Sequence, residues 1–151
     1  MLLMLPLARE VAGQERPRPV SISLWAVHAL QEEHDEKRYD RGLEAVQDLL
    51  RGLPYNTFRQ VQIVQRRPAP YNEQTRLRIN EQYTVVVRPL RQNEDGSFRL
   101  ELVVEMPPKA DDPDKEPVKA VSATVNLPAG EKLAVQAPMD KGELIIIISA
   151  T

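Results

Sequence analysis

Leu144-Ile-Ile-Ile-Ile-Ser149 decides the fold of this chain. An apolar run this short and this β-branched belongs in the interior of a sheet, where branched side chains pack well on a pleated surface. Successive side chains in a strand point to opposite faces, so four isoleucines in a row load both faces with hydrocarbon. The run therefore predicts a central strand covered by a helix or by a second sheet.

Reading outward from that strand, the pattern stays β. Asp140-Lys-Gly142 is a tight turn into it, Lys132 to Ala137 a short strand, and Pro128-Ala-Gly130 another turn. Val118 to Leu127 alternates, with Val121, Ala123, Val125 and Leu127 in one phase and Ser122, Thr124 and Asn126 in the other. Pro107 to Pro117 holds four prolines and four acidic residues and reads as a solvated loop. Phe98, Leu100, Leu102, Val104 and Met106 share a face, Val103 being the apolar residue out of phase. Asn93-Glu-Asp-Gly96 before them is a hairpin turn whose Asp-Gly pair supplies left-handed backbone angles. Tyr83, Val85 and Val87 form a further inward row, and Pro89 is expected to end that strand or hold it on an edge. Thr75, Leu77 and Ile79 alternate with Arg76 and Arg78; Phe58 to Gln65 is a strand, followed by a break at Pro68-Ala-Pro70-Tyr-Asn72.

Towards the start, Val20 to Leu30 is the first strand, apolar on both faces in its second half. The sequence predicts one helix, from about Asp40 as its cap to Leu53, with Leu43, Val46, Leu50 and Leu53 recurring at three- and four-residue spacing, Leu49 widening the stripe and Pro54 ending it. The expected fold is α+β, a mainly antiparallel sheet or sandwich of six to eight strands covered by one helix.

Composition narrows the chemistry. A chain of 151 residues fits one domain, here residues 20–151 behind a leader at 1–19, and buries a core without metals or disulfides. With no cysteine there is no disulfide, iron–sulfur cluster or thiol nucleophile. Twenty basic against twenty-two acidic side chains give a net charge of -2, which makes nucleic acid an unexpected partner. His28 and His34 are the whole imidazole supply, so a three-histidine zinc site is excluded. His28, in phase with Ile22 and Leu24, reads as a half-buried histidine satisfied by backbone or a nearby polar group. Glu32-Glu-His-Asp-Glu36 and Asp111-Asp-Pro-Asp114 lack the spacing of a calcium loop and read as charged surface. No catalytic residue, metal or cofactor is expected, and no nucleophile-elbow or phosphate-loop motif occurs.

Three features point to binding. Met1-Leu-Leu-Met-Leu-Pro-Leu-Ala8 is either a weak export signal or a tail in which Leu2, Leu3, Met4 and Leu5 anchor to a protein partner. The run is far below the roughly 20 residues that span a bilayer. Tyr55, Asn56, Tyr71, Asn72 and Gln74 lie near strand ends and are the candidate lining of a carbohydrate or small-ligand pocket. Arg59, Arg66, Arg67, Arg76, Arg78, Arg88, Arg91 and Arg99 crowd the middle third; neighbouring strands would gather some of them on one basic face, or the interleaved glutamates pair with them across strands.

Trp25-Ala-Val-His-Ala-Leu30, the leucine-rich helix, Leu53-Pro-Tyr-Asn-Thr-Phe58, the turn Leu127-Pro-Ala-Gly-Glu131 and the C-terminal strand after a glycine turn carry a resemblance over residues 20–150. In these features the chain resembles a group of small bacterial β-rich envelope or assembly proteins that has no assigned activity. The resemblance implies a non-enzymatic structural or protein-interaction domain, periplasmic or envelope-associated, working as an accessory subunit. The weak export signal departs from that group and keeps a cytoplasmic location open.

Overall fold

A computed structural model describes residues 17–107 and 117–151, and the chain forms two facing sheets with one short helix on the outside. The strands are β1 (Val20–Leu30), β2 (Arg38–Tyr39), β3 (Thr57–Ala69), β4 (Thr75–Arg78), β5 (Thr84–Gln92), β6 (Phe98–Met106), β7 (Val118–Leu127), β8 (Lys132–Pro138) and β9 (Glu143–Ala150). A five-stranded sheet runs β2-β3-β1-β9-β8 and a four-stranded sheet β4-β5-β6-β7. All pairings are antiparallel except the two-residue β2 beside β3. The fold is α+β and sandwich-like, as the alternation predicts, with nine strands among the described residues because β2 is too short to leave a pattern.

The isoleucine run sits where its composition requires. β9 lies between β1 and β8, paired with β1 from Glu143 opposite Ala29 to Ala150 opposite Ile22. Leu144, Ile146 and Ile148 join Ile22, Leu24 and Ala26 of β1 in the core between the sheets, against Val85, Val87, Leu100, Leu102 and Val104. Ile145 and Ile147 point the other way, with Trp25, Val27 and Ala29, into a second core under the helix. The sandwich thus has two apolar layers with β1 and β9 between them. Each fully buried large aliphatic side chain contributes about 1.5–3 kcal/mol before conformational entropy is counted.

The helix departs from its expected span. It is a 3-10 turn, Glu44–Val46, running into α1, Gln47–Arg51. Gly42 adopts φ +91, outside the helical region, so no helix crosses it. Asp40 does not cap the helix; its carboxylate accepts the Gln60 amide at 2.9 Å and its own amide donates to Phe58 O, extending the β2–β3 contact. Leu43, Val46 and Leu50 are buried against β1, β3 and β9 as the spacing predicts, whereas Leu49 is 39% exposed.

Two proline expectations are also corrected. β3 continues through Pro68 to Ala69 instead of breaking there, carried by two bulges against β1, one of which holds Arg66 at φ 53. Pro89 neither ends β5 nor lies on an edge strand, since β5 runs between β4 and β6 to Gln92. It is tolerated because β4 pairs only with Thr84 to Val87, and the Pro89 carbonyl, turned to that vacated side, accepts the Asn72 amide at 2.7 Å. The missing N–H faces the same side, where no strand asks for it. The solvated loop predicted at 107–117 falls mostly outside the described residues.

Candidate functional site: an arginine-bearing sheet face

Inward alternation on β4, β5 and β6 fixes what faces outward. With Leu77, Val85, Val87, Leu100, Leu102 and Val104 committed to the core, Arg76 and Arg78 of β4, Arg88 and Arg91 of β5 and Arg99 of β6 share the outer face. Lys119 of β7 stands opposite Glu105 on the same face. Among the described residues six cations therefore meet two carboxylates, Glu101 and Glu105, on one side of a chain whose net charge is -2.

Those two carboxylates are engaged. Glu105 accepts from Arg76 Nη1 on both oxygens at 3.1 Å, and Glu101 meets Arg88 at 3.6 Å. Arg88 Nε is buried without a hydrogen-bond partner, so that guanidinium is only partly satisfied. Arg91 and Arg99 stand directly opposite each other across β5 and β6. Like charges in that position destabilise a sheet, and no carboxylate among the described residues bridges them. Amide oxygens hold them instead: Arg91 Nε donates to Asn93 Oδ1 at 3.1 Å and Arg99 to Asn126 Oδ1 at 3.4 Å, while Asn93 Nδ2 donates to the same Asn126 oxygen at 3.0 Å. Neutral acceptors orient the guanidiniums without cancelling their charge.

Arg59, Arg66 and Arg67 belong to the other sheet, on β3, where Arg59 pairs with Glu32 at 3.3 Å. The middle-third arginines thus split three and five between two sheets. Both sequence readings of them hold in part: five share a basic face, and two of those are paired across strands.

The five pocket candidates do not converge. Tyr55 and Asn56 lie at the end of β1 marked by Leu30 opposite Thr57, while Tyr71, Asn72 and Gln74 follow the end marked by Val20 opposite Ala69. Eleven residues of strand, about 33 Å, lie between them. Asn56 is 5% exposed and fully occupied: its amide donates to Glu32 O and His34 O and its oxygen accepts the Glu32 amide at 2.8 Å, pinning the 31–37 loop. The Tyr55 hydroxyl donates to the Glu143 carboxylate, a bond that raises its pKa, with burial and the Glu143 charge acting in the same direction. Tyr71 and Asn72 line an open cleft of about 970 Å³ with Pro17, Arg18, Leu90 and Arg91, and burial pushes the Tyr71 hydroxyl up; Gln74 is exposed and outside that lining.

Both histidines are held by hydrogen bonds within the chain. His28 Nε2 donates to Lys141 O at 2.6 Å, and His34 bonds Glu36 O through Nδ1 and Thr57 Oγ1 through Nε2. Among the described residues no three metal-ligating side chains gather, and no helix is long and apolar enough to cross a membrane. Leu2, Leu3, Met4, Leu5 and the Asp111–Asp114 cluster lie outside the described residues. No family model matches the chain, and neither a curated protein nor a solved structure does.

Proposed function

We propose that the protein is a non-enzymatic interaction domain, an accessory subunit of a bacterial envelope assembly, that docks an acidic protein surface on the outer face of β4–β7. The observation that carries this reading is the Arg91–Arg99 pair, two cations placed opposite each other with only neutral acceptors. Such an arrangement costs stability in the free chain and is relieved by an external carboxylate. An acidic protein is favoured over nucleic acid because the face carries no aromatic ring on which a base can stack. The accessory role and a periplasmic or envelope location are what the sequence resemblance implies, with a cytoplasmic location as the alternative.

The test is quantitative capture of a partner from native extract by the tagged chain beside its Arg91→Glu/Arg99→Glu variant. A stoichiometric acidic protein retained by the first, lost from the second and released by moderate salt is the expected result. A monomer without partner that turns over a small molecule reproducibly would reject the reading. A second reading rests on the Tyr71 cleft: an aromatic ring, the amides of Asn72 and Gln92, two arginines and the Glu73 carboxylate suit a small carbohydrate. A thermal-shift screen of acidic and neutral sugars separates the two, since Tyr71→Ala abolishes a ligand shift and leaves partner capture intact.

A further inference from the structure

The 31–37 loop gathers four carboxylates, Glu32, Glu33, Asp35 and Glu36, around one imidazole, His34. Like charges so close along the chain repel and resist a folded loop, yet this one is clamped to the start of β3. The clamp is Asn56, and its orientation is fixed. Its Nδ2 donates to the Glu32 and His34 carbonyls, so its Oδ1 is the acceptor for the Glu32 amide at 2.8 Å. A flipped amide would set donor against donor and acceptor against acceptor.

That orientation constrains the histidine. The Thr57 hydroxyl lies 3.1 Å from Asn56 Oδ1 and 2.9 Å from His34 Nε2, and it has one proton to give. On the other side of the ring, Nδ1 lies 2.7 Å from the Glu36 carbonyl, which only accepts, so Nδ1 carries a proton. When Nε2 is protonated as well, it donates to Thr57 Oγ1, the hydroxyl donates to Asn56, and every bond from Glu36 to Asn56 is made. When Nε2 is bare, the hydroxyl turns to the ring and the Thr57–Asn56 bond is lost between two buried residues. The imidazolium therefore gains one hydrogen bond and relieves the repulsion among the four carboxylates, whereas the neutral ring does neither.

We infer that His34 is a proton-operated latch: protonated, it locks the 31–37 loop onto β3, and deprotonated, it lets the loop open. The carboxylates of its own loop favour the proton. The cations around it oppose it: Lys37 and Arg38 where the loop enters β2, and Arg59 of β3, which is paired with Glu32 at 3.3 Å. His28 of β1, opposite Arg59, and Tyr55 with its Glu143 partner are the other titratable groups on the neighbouring strands, and Asp48 and Arg51 of α1 pair with each other. The latch reaches the helical layer, because Lys37 Nζ donates to the Arg51 and Leu53 carbonyls at 2.7 Å and so ties the loop to the end of α1. The folded chain holds this proton more firmly than the unfolded one, so the lock is complete in mild acid and weakens as pH rises through the imidazole range. The latch needs no acidic partner and stands apart from that reading.

Amide hydrogen exchange of the full chain at about pH 5 and about pH 8 tests it, read as protection factors so that the intrinsic effect of pH on exchange is removed. The amides to follow are Glu32, His34 and Arg38, which donate to Asn56 Oδ1, Glu32 O and Asn56 O. Their protection is expected to fall about fivefold from the lower pH to the higher, the worth of one net hydrogen bond. His34→Gln abolishes that fall. Should this variant not fold, Thr57→Val and Thr57→Ser replace it: valine removes the hydroxyl and flattens the response, and serine keeps both. Equal protection at the two pH values in the wild-type chain overturns the latch; so does a fall that survives His34→Gln or Thr57→Val.

Discussion

Gly142 occupies a point where backbone meets backbone. Its φ is +73, and a Cβ built there would lie 1.9 Å from the Ala29 carbonyl oxygen, which no side-chain movement relieves. Next to it the Lys141 carbonyl accepts the His28 imidazole N–H at 2.6 Å, so the turn is fastened to the end of β1 before β9 begins. Gly142→Ala meets both the left-handed penalty and the clash, and a loss of at least about 1–3 kcal/mol is expected in urea denaturation. Gly130, at φ +80 with open space around its Cβ position, meets the first cost alone, so Gly130→Ala is expected to be milder in the same assay. Asp95 tunes the hairpin in another way. The Ser97 hydroxyl at 2.6 Å, then the Ser97 amide, hold its carboxyl below the usual 3.8. A carboxyl lowered by folding contributes stability that is complete above its unfolded pKa and fades as pH falls through the folded one. Asp95→Ala is therefore expected to destabilise the fold at pH 6 and to match the wild type at the acid end of the transition, as thermal melts across pH 2 to 6 would show. The expected difference at neutral pH is small, because the carboxylate is exposed.

Among the elements, β9 shows what a strand buried on both faces demands. Ile146 points into the inter-sheet core and Ile147 under the helix, both within 1% of complete burial. Ile→Val at either position removes one methylene from a closed site, at about 0.5–1.5 kcal/mol, and Ile→Ala costs about 2–5 kcal/mol. Equal losses at 146 and 147 in denaturant titrations are the expected outcome; a tolerant Ile147 would mean that the helical layer is loosely packed. This element was legible because the sequence states both faces at once. The strands from β4 to β9 were legible for the related reason that alternation reports burial directly. The helix was not, since the leucine spacing from Leu43 to Leu53 satisfies a helical period whether or not Gly42 leaves the helical region, and nothing local reports its φ. β3 looks shorter in sequence than it is because its bulges shift the inward phase and Pro68 mimics a stop. Pro89 misled for a tertiary reason, the early end of β4.

Across the whole molecule the charge distribution is lopsided, one sheet face carrying a cation excess while the rest of the chain carries the acid that brings the total to -2. The sequence exposed half of this arrangement. Alternation put Arg76, Arg78, Arg88 and Arg99 on outward positions, but only strand order makes neighbours of them, and the bulge between Pro89 and Arg91 turns Arg91 outward against Arg99. The distance between the Tyr55 and Tyr71 pairs was hidden in the same way, because the hairpin returns of the chain are not written in residue type. If the arginine face is held against its own repulsion for the sake of a partner, relieving the repulsion should strengthen the fold and weaken the function together. Arg99→Glu converts the like-charged rung into an Arg91–Glu pair, worth about 0.2–1 kcal/mol for opposite charges facing across strands, in addition to the repulsion removed. For a domain of this size each kcal/mol corresponds to about 2–4 °C, so the melting temperature is expected to rise by a few degrees in low salt. Salt screens both the repulsion in the wild type and the attraction in the variant, so the gap should close as ionic strength rises towards about 1 M. Calorimetry of the two chains at low and high salt measures it, and partner capture by the same Arg99→Glu chain should fall; a variant less stable than wild type at low salt would show that Asn93 and Asn126 already satisfy the pair and that the face stores no repulsion for a partner to relieve.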